Sequence, residues 1–195
     1  MRKAYITQLQ SIINHYDKYK EIAVPLQWAE TQTAYCDASC YGHEIYLGLY
    51  EVRFRKGYLQ THFAEAFVQM MLTMLAYSEE WEPDRWAHIP PEERLNNMIK
   101  GEAFYREYLC FEKLRMQPVE AAHLRELVYS CIPCHTPEEA DDPNAFIEAG
   151  RMAANFTQGE AIWLGGLIGD GCTPDDNWLA IQDDAFLFIS FHCSG

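Results

Sequence analysis

The last third of this sequence is almost empty of positive charge. Residues 136–195 contain eleven acidic residues and a single base, Arg151, and no lysine follows Lys113. Residues 1–135 carry 18 acids against 14 bases, so most of the formal net charge of −14 comes from the C-terminal region. This balance disfavours nucleic acid and anionic membranes as direct partners, because phosphates would be repelled. It favours a cationic partner.

Long hydrophobic runs are also missing. The longest nearly apolar stretches, 67–77 and 161–169, are too short to cross a bilayer. The opening residues, MRKAYITQLQS, lack the apolar segment of a secretory signal. We therefore expect a cytoplasmic protein. In that compartment the seven cysteines should be reduced thiols.

Catalytic signatures are absent or incomplete. No G-x-S-x-G nucleophile motif occurs. His43 and Glu44 begin like a zinc-protease H-E-x-x-H motif, but Leu47 stands where the second histidine is required. The loop GLIGDGCT at 166–173 resembles a phosphate-binding loop, with Cys172 in place of the essential lysine. We predict that the chain is not an enzyme.

Half of a metal site is present. Cys131, Cys134 and His135 form a C-x-x-C-H cluster, a spacing used in zinc and haem proteins. A structural zinc ion needs four ligands, and the sequence has no clear second ligand pair at short spacing. Cys36 and Cys40 are candidates, because their spacing would place both thiols on one face of a helix. We predict no cofactor, and keep a metal-dependent or thiol enzyme built on this cluster as an alternative.

Helical periodicity dominates the apolar pattern. The strongest case is 58–80, where apolar residues recur at helical spacing: Leu59, Phe63, Phe67, Met70, Met71, Met74 and Leu75. We read this stripe as core. The segment 43–57 suits either a strand or a helix. Together these patterns predict an all-α fold, in which residues 1–195 form a single domain of about seven or eight helices.

Capping signals predict two further helices toward the C-terminus. Thr157 and Glu160 match a capping box. The sequence Thr173-Pro174-Asp175-Asp176 places a cap, a first-turn proline and two acids in order, and predicts a helix through NWLAIQDDAFLFIS.

The acids of 136–195 are the candidate binding residues. A solvated surface and helix caps would account for some of these acids. They do not account for the lack of bases, because interspersed bases would reduce the repulsion between the acids. Acids that steer a cationic partner, beside aromatic anchors such as Trp163 and Trp178, would account for the excess. The predicted partner-binding residues are Glu138, Glu139, Asp141, Asp142, Asp170, Asp175, Asp176, Asp183 and Asp184.

These features together are typical of bacterial immunity proteins, which are small, acidic, unexported and free of catalytic motifs. The likeness is one of type, since no family's residue pattern is matched. We predict a binding protein that neutralises a cationic toxin or effector domain. An alternative is a DNA mimic, whose carboxylates copy phosphate spacing to occupy a nuclease or restriction enzyme.

Overall fold

A six-stranded antiparallel sheet forms the centre of the molecule. The computed structural model describes residues 3–14, 32–40, 45–77, 88–94, 115–131, 142–165 and 176–193. The strands are β1 (Gln32–Asp37), β2 (Ile45–Arg53), β3 (Arg115–Val119), β4 (Glu160–Gly165), β5 (Asp176–Gln182) and β6 (Ala185–Cys193). Their order across the sheet is β1-β2-β6-β5-β4-β3. The prediction of an all-α bundle is therefore wrong.

Helices cover both faces of this sheet. They are α1 (Lys3–Asn14), α2 (Tyr58–Thr61), α3 (Phe63–Tyr77), α4 (Leu124–Cys131) and α5 (Pro143–Ala154), with a short 3-10 turn at Ala121–His123. The first face packs α1 and α3 against strand residues such as Val52, Leu179 and Phe186. The second face packs α4 and α5 against residues such as Leu47 and Leu187.

Burial on both faces explains why the strands resemble helices in the sequence. A strand with one solvated face alternates between apolar and polar residues, whereas a strand covered on both sides is a continuous apolar run. Five consecutive residues of β5, 177–181, are buried, as are residues 185–189 of β6. The predicted helix through NWLAIQDDAFLFIS is in fact the β5–β6 hairpin, and Asp183 occupies the left-handed region in its turn, with φ 52°.

Three further predictions concern the capping box at Thr157, the segment 43–57 and the pair Cys36 and Cys40. The predicted capping box fails, because Thr157 lies in the turn after α5 and Glu160 is the first residue of β4. Residues 43–57 contain strand β2. Cys36 lies in β1 and Cys40 forms a bridge to Ile45, so these two thiols do not share a helix face.

The predicted core helix is confirmed within the described residues. The segment is divided at His62 into α2 and α3, and the Phe and Met stripe is buried. Phe63 packs edge-on against Phe186 with ring centroids 5.6 Å apart, and Tyr77 contacts Tyr35 at 5.7 Å. Helix α3 therefore crosses the first face from strand β6 to the edge strand β1.

Candidate functional site

Aspartates from three distant parts of the chain lie at one end of the sheet, Asp37 on its first face and Asp176 on its second. Asp37 ends β1, and the register aligns it through Gly48 and Ser190 with Asn177 of β5, which Asp176 precedes. Three strand spacings separate β1 from β5, roughly 14 Å. We call this end, marked by Asp37, Asp142 and Asp176, the acidic end.

Asp142 joins the acidic end through helix α5. Its side chain accepts a hydrogen bond from the backbone N–H of Asn144 at 2.8 Å, which caps the helix ahead of Pro143. The helix begins beside β1, where the Cys36 thiol donates to the carbonyl of Ala145 at 3.2 Å. Residues more than 100 positions apart are thereby brought together.

Cys36 lies among carboxylates at the acidic end, and their charge affects the pKa of its thiol. Burial, and to a smaller extent the neighbouring carboxylates of Glu148, Asp37 and Asp142, raise the pKa of its thiol to about 12. A thiol so strongly protonated is a poor nucleophile at neutral pH. The local field is negative, and Cys36 is unsuited to covalent catalysis.

Asp176 is held in place by an indole. The Nε1–H of Trp163 donates to its carboxylate Oδ1 at 2.7 Å. The ring lies over Gly165, where an added Cβ would come within 2.4 Å of it. A glycine at this position therefore lets the tryptophan lie along the strand and orient the aspartate.

Asp183 and Asp184 lie at the other end of the sheet. Strand β5 separates them from Asp176 by roughly 20 Å. Asp183 is exposed in the turn. The Asp184 carboxylate accepts hydrogen bonds from the backbone N–H groups of Gly57 at 2.7 Å and Leu59 at 3.4 Å. Asp184 thus holds the start of α2, and this pair does not share a surface with the acidic end.

The remaining predicted site residues fall outside the described part of the chain. Of the nine predicted binding acids, those outside are Glu138, Glu139, Asp141, Asp170 and Asp175. For the metal alternative, Cys131 is described only as the last residue of α4, and Cys134 and His135 lie outside. Within the described ranges, no three His, Cys, Asp or Glu side chains are grouped so as to hold a metal ion.

Sequence reasoning missed Asp37 and the aromatic residues beside it. Tyr35 stacks on Tyr50 with ring centroids 5.0 Å apart. The Tyr50 ring folds over Gly48, where a Cβ would come within 2.6 Å of its hydroxyl oxygen. The alternation of Thr33, Tyr35 and Asp37 with smaller residues was the available signal, since it is typical of an edge strand.

Comparisons of the chain with protein-family models, with curated proteins and with solved structures found no match. No helix in the described residues is long and apolar enough to span a membrane.

Proposed function

We propose that this chain is a non-catalytic cytoplasmic binding protein that uses its acidic end to bind and neutralise a cationic protein partner. The partner class is a toxin or effector domain, so that the chain acts as an immunity protein. One observation carries the proposal: Asp37 of β1, Asp142 at the N-cap of α5 and Asp176 of β5 lie at the same end of the sheet, with Asp37 on its first face and Asp176 on its second.

The physical basis is the effect of a concentrated field on association. Like charges held together destabilise a fold through self-repulsion, and a gain in partner binding offsets that cost. At low salt, complementary charge increases the association rate of two proteins by about ten- to a thousandfold. Added salt suppresses this increase. The chain's formal net charge of −14 acts in the same direction.

A variant that replaces three aspartates by asparagines tests the proposal, because it removes the charges but keeps an acceptor oxygen at each position. Asp37→Asn, Asp142→Asn and Asp176→Asn together remove three charges while the amide oxygens can still accept the hydrogen bonds from Ser39, Asn144 and Trp163. The partner is recovered by co-purification from the native host and identified by mass spectrometry. We expect its on-rate for the variant to fall about tenfold at low salt, with little change at high salt.

The matched control removes the same number of charges elsewhere. Glu120→Gln, Glu126→Gln and Asp183→Asn alter three exposed acids other than Asp37, Asp142 and Asp176. This variant has the same net charge as the first, so any difference between them reports position alone. We expect its on-rate to stay within about twofold of wild type. Equal slowing by both variants, or by neither, would contradict a binding role for the acidic end.

A further inference from the structure

A tyrosine cluster lies on the first face, where the register places Tyr35 and Tyr50 level with Phe188 and Leu179, in the middle of the sheet. Tyr35 of β1 stacks on Tyr50 of β2 at an interplanar angle of 26°, and contacts Tyr77, at the end of α3, at an angle of 46°. Tyr50 is buried, whereas Tyr35 and Tyr77 are partly exposed. The cluster therefore has a buried base and two rings that reach the surface.

Carboxylates flank these two rings. Asp37 lies two residues beyond Tyr35 on the same side of β1, so the two Cα atoms are about 7 Å apart. Glu92, an exposed residue of the 88–94 segment, lies near Tyr77: burial raises the pKa of the Tyr77 phenol, and the Glu92 charge raises it further. Negative charge thus approaches the cluster from β1 and from a separate segment.

Two tyrosines of the chain already form contacts with arginine side chains. The guanidinium carbon of Arg55 lies 5.4 Å from the ring centroid of Tyr58, and that of Arg125 lies 5.5 Å from the ring centroid of Tyr129. Both distances suit a cation–π contact. A planar guanidinium can stack on a ring and direct its N–H groups to carboxylates at the edge, which the ammonium of lysine cannot do as well.

We propose that the cluster of Tyr35, Tyr50 and Tyr77 is the anchor site for an arginine side chain of the partner, with Asp37 and Glu92 receiving its N–H groups. This inference rests on the proposed function and names the side chain that Asp37 and the neighbouring rings select. The negative field attracts any cation, and the rings discriminate arginine from lysine.

Preference between two peptides measures this discrimination. The probes are fluorescein-labelled (Gly-Arg)4 and (Gly-Lys)4, which carry the same charge, and their affinities are measured by fluorescence anisotropy. Wild type should bind the arginine peptide at least about threefold more tightly. The double variant Tyr35→Leu, Tyr77→Leu keeps the net charge and the apolar contacts but should lose this preference.

Two control variants separate ring chemistry from folding. Tyr35→Phe keeps the ring and should keep the preference for arginine. Tyr129→Leu removes a partly exposed tyrosine from the second face and should also keep it. Circular dichroism melts establish that each variant is folded.

Failure of the arginine site and failure of the proposed function give different experimental results. Equal affinity of wild type for both peptides, or a preference that persists in the double tyrosine variant, overturns the arginine site. If the three Asp→Asn changes still slow association with the partner, the proposed function stands without it. If those changes have no effect on association while the arginine preference responds to the tyrosines, the arginine site stands and the steering role fails.

Discussion

The two ends of strand β5 carry aspartates with different roles. At one end, Asp184 accepts two backbone hydrogen bonds, from Gly57 and Leu59, and fixes the entry to helix α2. Gly57 has a φ of 80°, a conformation that favours glycine, so this junction has a tightly specified geometry. At the other end, Asp176 accepts one hydrogen bond from a side chain, that of Trp163.

This difference shows that acidity alone does not identify a binding residue. Asp184 contributes to the fold, because two backbone donors would otherwise lose their acceptor. Asp37, Asp142 and Asp176 also accept hydrogen bonds, but asparagine could replace each of them as an acceptor. The hydrogen bonds from Ser39, Asn144 and Trp163 thus need an acceptor oxygen and not a negative charge, and we propose that the charge serves binding.

The largest expected effect comes from the core that connects the two ends. Phe67 of α3 is fully buried on the first face. Phe67→Asp would bury a carboxylate without a partner, and should lower the free energy of unfolding by about 3 kcal/mol or more. Urea denaturation measures the change. Wild-type stability would mean that the stripe does not form the core between the ends.

The next prediction sets the two ends against each other directly. Asp184→Ala should lower the free energy of unfolding by about 2 kcal/mol, because it removes the acceptor of two backbone donors. Asp176→Ala should cost about 1 kcal/mol, because only the Trp163 indole loses its acceptor. Thermal melts of both variants provide the comparison, and a larger loss for Asp176→Ala would reverse the assignment of the two ends.

A buried amide at the acidic end predicts a gain in stability. Asn177 is fully buried, and within the described ranges neither polar atom of its side-chain amide has a hydrogen-bond partner. Leucine has a similar volume and no polar atoms, so Asn177→Leu should raise the free energy of unfolding by about 1 kcal/mol. Asn177→Ala is the matched control, since it removes the amide but leaves a cavity. A destabilised leucine variant would show that the amide is needed.

The smallest expected effect concerns metal at Cys131, the last residue of α4. We predict less than one zinc ion per purified chain and a melting temperature that a chelator leaves unchanged. A stoichiometric zinc ion lost together with folding in a Cys131→Ser, Cys134→Ser variant would favour the metal alternative. Elemental analysis, with and without chelator, decides the matter.

Prediction from the sequence was uneven for physical reasons. Helix α3 was predictable because its Phe and Met residues repeat at helical spacing, and a helix is a local structure. The β5–β6 hairpin was not, because its residues are buried on both faces and lose the alternation that identifies a strand. The Asp183–Asp184 turn also lacks the Asn-Gly or Asp-Gly pair that marks many hairpins.

The candidate site was predictable only in part. Asp142 and Asp176 belong to the acid-rich region that composition reveals, whereas Asp37 lies in the first 135 residues, where the charges nearly balance. Pairing of β1 with β2, and of β2 with β6, brings Asp37 to the same end of the sheet. The β2–β6 pairing joins residues more than 100 positions apart, and no local pattern encodes it.

The sequence by itself determined the acidic imbalance of residues 136–195, the absence of a complete catalytic motif and the core helix α3, because each depends on composition or on short-range spacing. The tertiary structure alone decided that the strands form one sheet, that Asp184 supports the fold, and that Asp37 joins Asp142 and Asp176. These outcomes depend on which strands pair and which faces are covered, and the free energy of burial selects that arrangement over the whole chain.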